Sequence, residues 1–330
     1  MAEVRFGLIG AGRIGQVHAM AVQSVPGARI TEVVDVFPEA AKKVADKYGA
    51  KVVTLDEMFA SPHVDAFIIA SSTDTHAPLL ERCASVGKPV FCEKPIDLSY
   101  ERAEACSAAV QESGITCMLG FNRRFDPQFA FLKRQMDAGT IGKLETLIIT
   151  SRDPSPPPAE YIKVSGGLFR DMMIHDFDMA RWLLGEEPTK LYATGSVLVD
   201  PAIGAAGDVD TASVTLTTKS GAIAIITNSR RATYGYDQRI EAFGEKGMLQ
   251  AGNQLENTVK FAGAEGVTGA KPQLFFLERY ADAYRIELTH FVDSLKNGTK
   301  PATNEQDGLA ALRLADAAVE SLKTGQPVNL

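Results

Sequence analysis

Long apolar runs are missing from this sequence. None approaches the roughly 20 residues that a bilayer-spanning helix needs, so no membrane partner is expected. Positive charge is not in excess either. Of 330 residues, 34 are Lys or Arg and 41 are Asp or Glu, a formal net charge of −7. Nucleic acid and anionic membranes are held by clustered basic residues, so neither is expected as a partner. Cysteine is scarce. Cys83, Cys92, Cys106 and Cys117 form no C-x-x-C pair, and Cys92 and Cys117 lie in apolar runs. Buried, reduced thiols in a cytoplasmic protein are the simplest reading, rather than a zinc site or a disulfide framework. The opening Met1-Ala2-Glu3-Val4-Arg5 has no basic segment and no apolar core, so no secretory signal is expected. There is no internal repeat, and the only low-complexity stretch is a short proline run. What remains is ordinary for a globular chain: 45% apolar and 23% charged residues. At roughly 150 residues per domain, the length favours two domains.

Apolar runs alternate with helix-like stretches through the first 120 residues. The runs are 4–9, 30–34, 52–53, 66–70, 89–92 and 116–119, and the stretches between them include 14–24, 38–48, 76–86 and 99–113. Continuous apolar strands separated by helices imply a parallel sheet covered on both faces. The fold class expected here is α/β, a doubly wound Rossmann domain over 1–120. Beyond Gly120 the texture changes. A helix is expected over 127–138, a strand over 144–151 and a second helix over 171–184. The prolines of 153–158 exclude both helix and central strand. Strands follow at 190–199, 212–218, 222–229, 238–243 and 259–262, with Lys219-Ser220-Gly221 as a hairpin turn. Two late helices are expected over 281–296 and 305–323. Residues 121–330 therefore read as an α+β domain with a large, mostly antiparallel open sheet.

Gly10-Ala11-Gly12-Arg13-Ile14-Gly15 is G-x-G-x-x-G, directly after a strand and opening a helix. Gly10 makes the tight turn, Gly12 lets a pyrophosphate approach the backbone, and Gly15 lets helix and strand pack closely. The helix N-terminus offers free N–H groups to the phosphates. Asp35 follows the second strand, 20 residues after Gly15. A carboxylate there accepts from the adenosine ribose and repels a 2′-phosphate, and Val36 and Phe37 supply no cation to bind one. NAD is favoured over NADP. The other reading is a ligand-free glycine turn with Asp35 capping the next helix. Ser71-Ser72-Thr73 follows the strand 66–70 at the carboxyl edge, where Ser72 and Thr73 are candidates to touch the cofactor or to cap the helix near His76. His76 is near the same edge and is a further cofactor candidate.

Glu93-Lys94-Pro95 follows the strand 89–92 on that edge. Lys94 can aim its ammonium at a substrate oxygen beside the cofactor, with Glu93 nearby and Pro95 fixing the turn, a cis peptide being one way to do so. In the segment 166–182, at helical spacing, Asp171, His175, Asp178 and Trp182 fall on one stripe and Met173, Phe177, Ala180 and Leu184 on the opposite one. A carboxylate-oriented imidazole is a ready general base near neutral pH. The alternative is a solvated polar face. Gly166-Gly167 before it permits close ligand approach. No metal is expected, since D-x-x-x-H lacks a third ligand nearby. His18 and His290 read as structural.

Taken in order along the whole chain, these residues resemble a known family. Gly10–Gly15, Asp35, Glu93-Lys94-Pro95, the segment 120–126 (GFNRRFD) and Asp171-x-x-x-His175-Asp176-Phe177-Asp178 are similar to the glucose–fructose oxidoreductase, inositol dehydrogenase and rhizopine catabolism family. Segments 166–182 and 230–239 resemble its inositol 2-dehydrogenase branch. The resemblance implies a Rossmann domain binding NAD over 1–120, and a substrate-binding and oligomerisation domain over 121–330 that builds a homotetramer on its open sheet. It implies a catalytic group of Lys94, Asp171 and His175, and a polyol pocket that adds Asn122, Arg123, Asp153, Asp178 and Tyr234. The activity implied is NAD-dependent oxidation of myo-inositol to 2-keto-myo-inositol. The alternatives are a relative acting on scyllo-inositol or a cyclic sugar and, from another class, a catalytically silent dinucleotide-sensing regulator. A regulator predicts a DNA-binding or docking module, and no helix-turn-helix or basic patch is read here.

Overall fold

The computed structural model describes residues 3–330; Met1 and Ala2, with which the N-terminal reading begins, lie outside the described residues. The chain divides into two compact units. One holds the residues up to Phe125 with Asp282–Leu312, and the other Asp126–Ala281 with Arg313–Leu330.

The first unit runs β1 (Val4–Ile9), α1 (Arg13–Gln23), β2 (Ala28–Val34), α2 (Pro38–Tyr48), β3 (Lys51–Val52), α3 (Leu55–Ala60), β4 (Ala66–Ile69), α4 (His76–Ser85), β5 (Val90–Cys92), α5 (Tyr100–Ser113) and β6 (Cys117–Leu119). Local sequence sets the helix ends. Pro38 sits in the first turn of α2, and Gly49 closes it in the left-handed conformation. Thr54 and Glu57 form a reciprocal capping box on α3. The six strands pair in parallel in the order β3-β2-β1-β4-β5-β6. That order reverses between β1 and β4, and ligands of such sheets bind at the carboxyl ends of the strands flanking the reversal. β4, β5 and β6 are buried at every residue, as their continuous apolar runs require. The four cysteines are free thiols and all buried. Burial pushes the Cys106 thiol up to about 12 and raises the other three as well.

The second unit begins with α6 (Pro127–Asp137), capped by Asp126, whose carboxylate accepts from the N–H groups of Gln128 and Phe129. Then come β7 (Leu144–Arg152), α7 (Ala159–Ser165), α8 (Gly167–Asp171), α9 (Ile174–Leu184), β8 (Pro188–Ser196) and α10 (Pro201–Ala205). β9 (Thr211–Thr218), β10 (Ile223–Ser229), β11 (Asp237–Gly244), β12 (Gly247–Ala251), β13 (Lys260–Gly263), β14 (Gly266–Gly269) and α11 (Phe276–Arg279) follow. α12 (Ala281–Asn297) returns to the first unit, where Phe291 packs near Phe6 and Phe91 with ring centroids 6.1 Å away in each case. All three rings are fully buried, each contributing roughly 1.5–3 kcal/mol. α13 (Glu305–Thr324) and β15 (Val328–Asn329) end the chain. Among the described residues no helix is long and apolar enough to cross a membrane.

Seven strands form the second sheet in the order β12-β11-β7-β10-β9-β8-β15. Every neighbouring pair is antiparallel except β10 and β7. Alternation along the strands buries Leu147 and Ile149, Ala224 and Ile226, Val214 and Leu216 on one face, against which α9 packs. The register carries Ile148, Tyr192, Ile223, Phe243 and Met248 onto the opposite face, where all five are exposed. The expected hairpin turn at Lys219-Ser220-Gly221 joins β9 and β10, with Gly221 at φ +91°.

Two expectations change, and one short helix is new. The helix expected over 171–184 is two helices: α8 stops at Asp171 and α9 starts at Ile174. The N–H groups of Met172 and Met173 both reach back to the Leu168 carbonyl, and both side chains enter the core. Asp171 and His175 therefore share no helical stripe. Of that stripe Asp178 is buried and Asp171, His175 and Trp182 are half-buried, so it is no fully solvated polar face. The strand expected at 259–262 lies outside the main sheet and pairs only with β14, as an exposed two-stranded ribbon. Residues 159–165, just past the prolines, close into a short helix.

Candidate active site

The three glycines of the Gly10–Gly15 loop do two different things. Gly10 has φ +95°, and a Cβ there would lie 2.5 Å from the Ala70 carbonyl oxygen. A Cβ on Gly15 would lie 2.0 Å from the Gly10 carbonyl oxygen. Both are demanded by packing. Gly12 is different: a Cβ there would meet nothing within 4 Å. Gly12 and Arg13 are exposed and Ile14 half-buried, so the first turn of α1 presents its backbone to open space. That is the cradle a pyrophosphate needs. Asp35 is half-buried at the end of β2. Its Oδ2 accepts from the Ala11 N–H at 2.6 Å and its Oδ1 from the Phe37 N–H at 2.8 Å. The carboxylate thus sits against the glycine loop, and its remaining lone pairs suit ribose hydroxyls. Val36 and Phe37 beside it are exposed and uncharged. These residues fit a bound NAD.

The loops at the carboxyl ends of β4 and β5 are tied together. Ser71 Oγ and Thr75 Oγ1 lie 2.6 Å apart, and the turn Thr73–Thr75 leads into α4. Ser72 is exposed and Thr73 half-exposed, and neither Ser72 nor Thr75 caps a helix with its side chain. His76 is 2% exposed, with Nδ1 2.7 Å from the Pro95 carbonyl and Nε2 3.1 Å from the Ser71 carbonyl. Burial lowers its pKa. His76 ties the loop after β4 to the residue just past Lys94, whose peptide bond to Pro95 is cis. Glu93 points the other way. Its Oε1 lies 2.6 Å from Nε2 of fully buried His18, and a Cβ on Gly120 would sit 3.1 Å from the Glu93 carboxylate. Lys94, half-buried, is held between these two anchored neighbours. Asn122 and Arg123 are buried in the turn Asn122–Phe125.

In the second unit, Asp171 ends α8 and His175 lies in the first turn of α9, both half-buried. The Tyr161 hydroxyl donates to Asp171 Oδ1 at 2.9 Å, and Arg230 Nη2 lies 3.5 Å from Asp171 Oδ2. The same guanidinium lies 3.8 Å from Asp208 Oδ2. Asp208 in turn accepts from the Leu168 N–H at the start of α8. A Cβ on Gly167 would lie 2.7 Å from Asp208 Oδ1, so the close approach that this glycine permits is made by the chain's own carboxylate. Beneath α9, Asp176 accepts from Ser151 Oγ at 2.5 Å and from Asn228 Nδ2 at 2.9 Å. This buried network pins the helix that carries His175 to β7 and β10. Asp178 is buried on the same helix, and Asp153 is half-buried, its N–H bonded to the Ser229 carbonyl.

Tyr234 is part of a separate polar cluster. Its hydroxyl donates to Asp237 Oδ2 at 2.5 Å and accepts from Arg152 Nη1 at 2.9 Å. Burial and the bond to Asp237 raise the phenol pKa. Burial would also raise Asp237, but donors from Arg239, Tyr234 and Asn253 outweigh it and hold that carboxyl below its usual range. Sequence reasoning did not single out Tyr161, Arg230 or Asp208 as partners of Asp171, and it read His18 as structural without its link to Glu93. No local pattern marks these residues, because each depends on contacts between distant segments.

A parallel sheet with an open glycine cradle and a carboxylate bonded to that loop, together with a mixed-sheet second unit, is the architecture of a dinucleotide-dependent oxidoreductase. Residues 4–121 match the model of the oxidoreductase family with an NAD-binding Rossmann fold, and residues 129–250 match the GFO/IDH/MocA C-terminal domain. The chain is 53% identical to inositol 2-dehydrogenase of Rhizobium meliloti (strain 1021), over 99% of both chains. The crystal structure of a myo-inositol dehydrogenase from Corynebacterium glutamicum superposes with a TM-score of 0.96 at 44% identity, covering 99% of each chain. That of scyllo-inositol dehydrogenase from Lactobacillus casei, with bound NAD(H) and scyllo-inositol, does so with a TM-score of 0.92 at 30% identity, again over 99% of each. The chain belongs to the GFO/IDH/MocA family of NAD-binding oxidoreductases.

Proposed function

We propose that this chain oxidises myo-inositol to 2-keto-myo-inositol. The observation that carries the reading is the full-length likeness to an inositol 2-dehydrogenase at 53% identity. The open Gly12 cradle and Asp35 would hold NAD, which when bound supplies the hydride acceptor. His175 takes the hydroxyl proton as the carbinol carbon loses hydride, and Asp171 orients and charge-stabilises the imidazole. Lys94 donates to the reacting oxygen and offsets its developing negative charge. Asn122, Arg123, Asp153, Asp178 and Tyr234 recognise the ring hydroxyls, which call for hydrogen-bond donors and acceptors rather than a phosphate clamp. Ser72, Thr73, His76 and Glu93 support the cofactor edge. Residues 1–120 serve as the NAD-binding domain, and 121–330 bind substrate and form a homotetramer in the cytoplasm.

A second reading, oxidation of scyllo-inositol, is favoured by the likeness to the Lactobacillus casei enzyme. An NADH absorbance screen against myo-inositol, scyllo-inositol, chiro-inositol and glucose, followed by identification of the product, separates the two. The highest kcat/KM is expected with myo-inositol. If no polyol or sugar reduces NAD, the dehydrogenase reading fails and a dinucleotide-sensing role takes its place.

A further inference from the structure

We propose that Tyr161 and Arg230 are positioning residues that clamp the two oxygens of Asp171. The inference rests on the reading of Asp171 as part of the catalytic group. Tyr161 comes from α7, just past the proline run, and its ring is 47% exposed. Its hydroxyl nevertheless donates to Asp171 Oδ1 at 2.9 Å. Arg230 directly follows β10 and is 1% exposed. A guanidinium so deeply buried is costly unless it is balanced. Its charge is balanced here by Asp171 at 3.5 Å and Asp208 at 3.8 Å, while its Nε has no hydrogen-bond partner.

The two carboxylates that Arg230 reaches stand at opposite ends of one short helix. Asp208 bonds the Leu168 N–H at the start of α8, and Asp171 is its last residue. A five-residue helix has no stability of its own. The place of Asp171 is therefore set by its tertiary partners. With one oxygen held by a phenol and the other by a guanidinium, the carboxylate loses the rotation that would otherwise have to be frozen during proton transfer. Such a clamp acts on turnover and leaves substrate and cofactor binding alone.

The test is steady-state kinetics of the full-length enzyme with NAD and myo-inositol on Tyr161→Phe, Arg230→Gln, Arg230→Lys, Asp171→Asn and the pair Tyr161→Phe/Asp171→Asn. Tyr161→Phe should lower kcat about tenfold, the scale of a hydrogen bond to a charged group. KM for both substrates and the thermal midpoint should stay as in the parent. Arg230→Gln should lose at least as much, and Arg230→Lys should recover part of it. In the Asp171→Asn background Tyr161→Phe should cost nothing further, which a merely structural role would not produce. Tyr161→Phe tolerates exposure, so it keeps the test decisive if Arg230→Gln does not fold. Parent-like kcat in Tyr161→Phe, or the same fractional loss in both backgrounds, overturns the clamp while an impaired Asp171→Asn leaves the catalytic reading standing. Parent-like kcat in Asp171→Asn overturns the catalytic reading, and the clamp with it.

Discussion

Lys94 sits two residues beyond a fully buried strand end, between a carboxylate bonded to His18 and a proline carbonyl bonded to His76. Its backbone is therefore fixed from both sides, which suits a group that must meet a reacting oxygen. Lys94→Ala and His175→Ala are each expected to lower kcat by at least roughly 10²-fold, the low end for a general acid or base, with NAD still bound in a fluorescence titration. The double variant should lose much less than the product of the two, since both residues serve one transfer. Near-normal turnover of His175→Ala would place the base elsewhere. Asp35 carries a second expectation. With one carboxylate oxygen bonded to the glycine loop, the other to the Phe37 N–H, and its neighbours uncharged, the parent should prefer NAD strongly over NADP. Asp35→Ala should weaken NAD and narrow the ratio of kcat/KM values, and equal use of the two cofactors by the parent would remove the argument. At this scale the sequence was readable where spacing along the chain sets the geometry, as in the glycine loop Gly10–Gly15 and Asp35 against it. It was opaque where a partner arrives from afar, as Tyr161 and Arg230 do at Asp171.

The elements divide along the same line. The alternation of buried strands and helices in the first 120 residues is a local pattern, and the parallel sheet follows from it. The break between α8 and α9 is not local, because Met172 and Met173 look helical by composition and turn inward only to fill the core. β12, β14 and β15 are short and half-polar, so no periodicity announces them. The glycine loop makes the element-scale prediction. A Cβ on Gly12 meets nothing and the backbone there has negative φ, whereas a Cβ on Gly15 collides with the Gly10 carbonyl. Gly12→Ala should therefore keep the parent's thermal midpoint and weaken NAD binding by intruding on the pyrophosphate path. Gly15→Ala should lower the midpoint by several degrees as well, because helix and strand must separate. Calorimetry on the NAD-free protein, paired with NAD titration, distinguishes the two, and a destabilised Gly12→Ala would show that the cradle is a packing feature after all.

At the scale of the whole molecule, the second sheet presents Ile148, Tyr192, Ile223, Phe243 and Met248 on one face, each at least 36% exposed. Threonines and serines from β9 and β10 lie between them in register, among them Thr215, Thr217 and Thr227. A sheet face on which exposed apolar side chains alternate with hydroxyls, and with Glu241 opposite Ile148, is one a second copy can cover. We propose that copies of this chain meet through this face and assemble as a homotetramer. Light scattering should then give a mass about four times the 35.5 kDa chain across a wide concentration range. Replacing Ile223 and Phe243 together by Lys would set like charges and long polar side chains where apolar faces must close. That variant should dissociate to smaller particles while its circular dichroism stays that of the parent, since neither side chain supports the buried face of the sheet. A parent that scatters as a 35.5 kDa particle, or a double-lysine variant that stays tetrameric, would move the contact off this sheet.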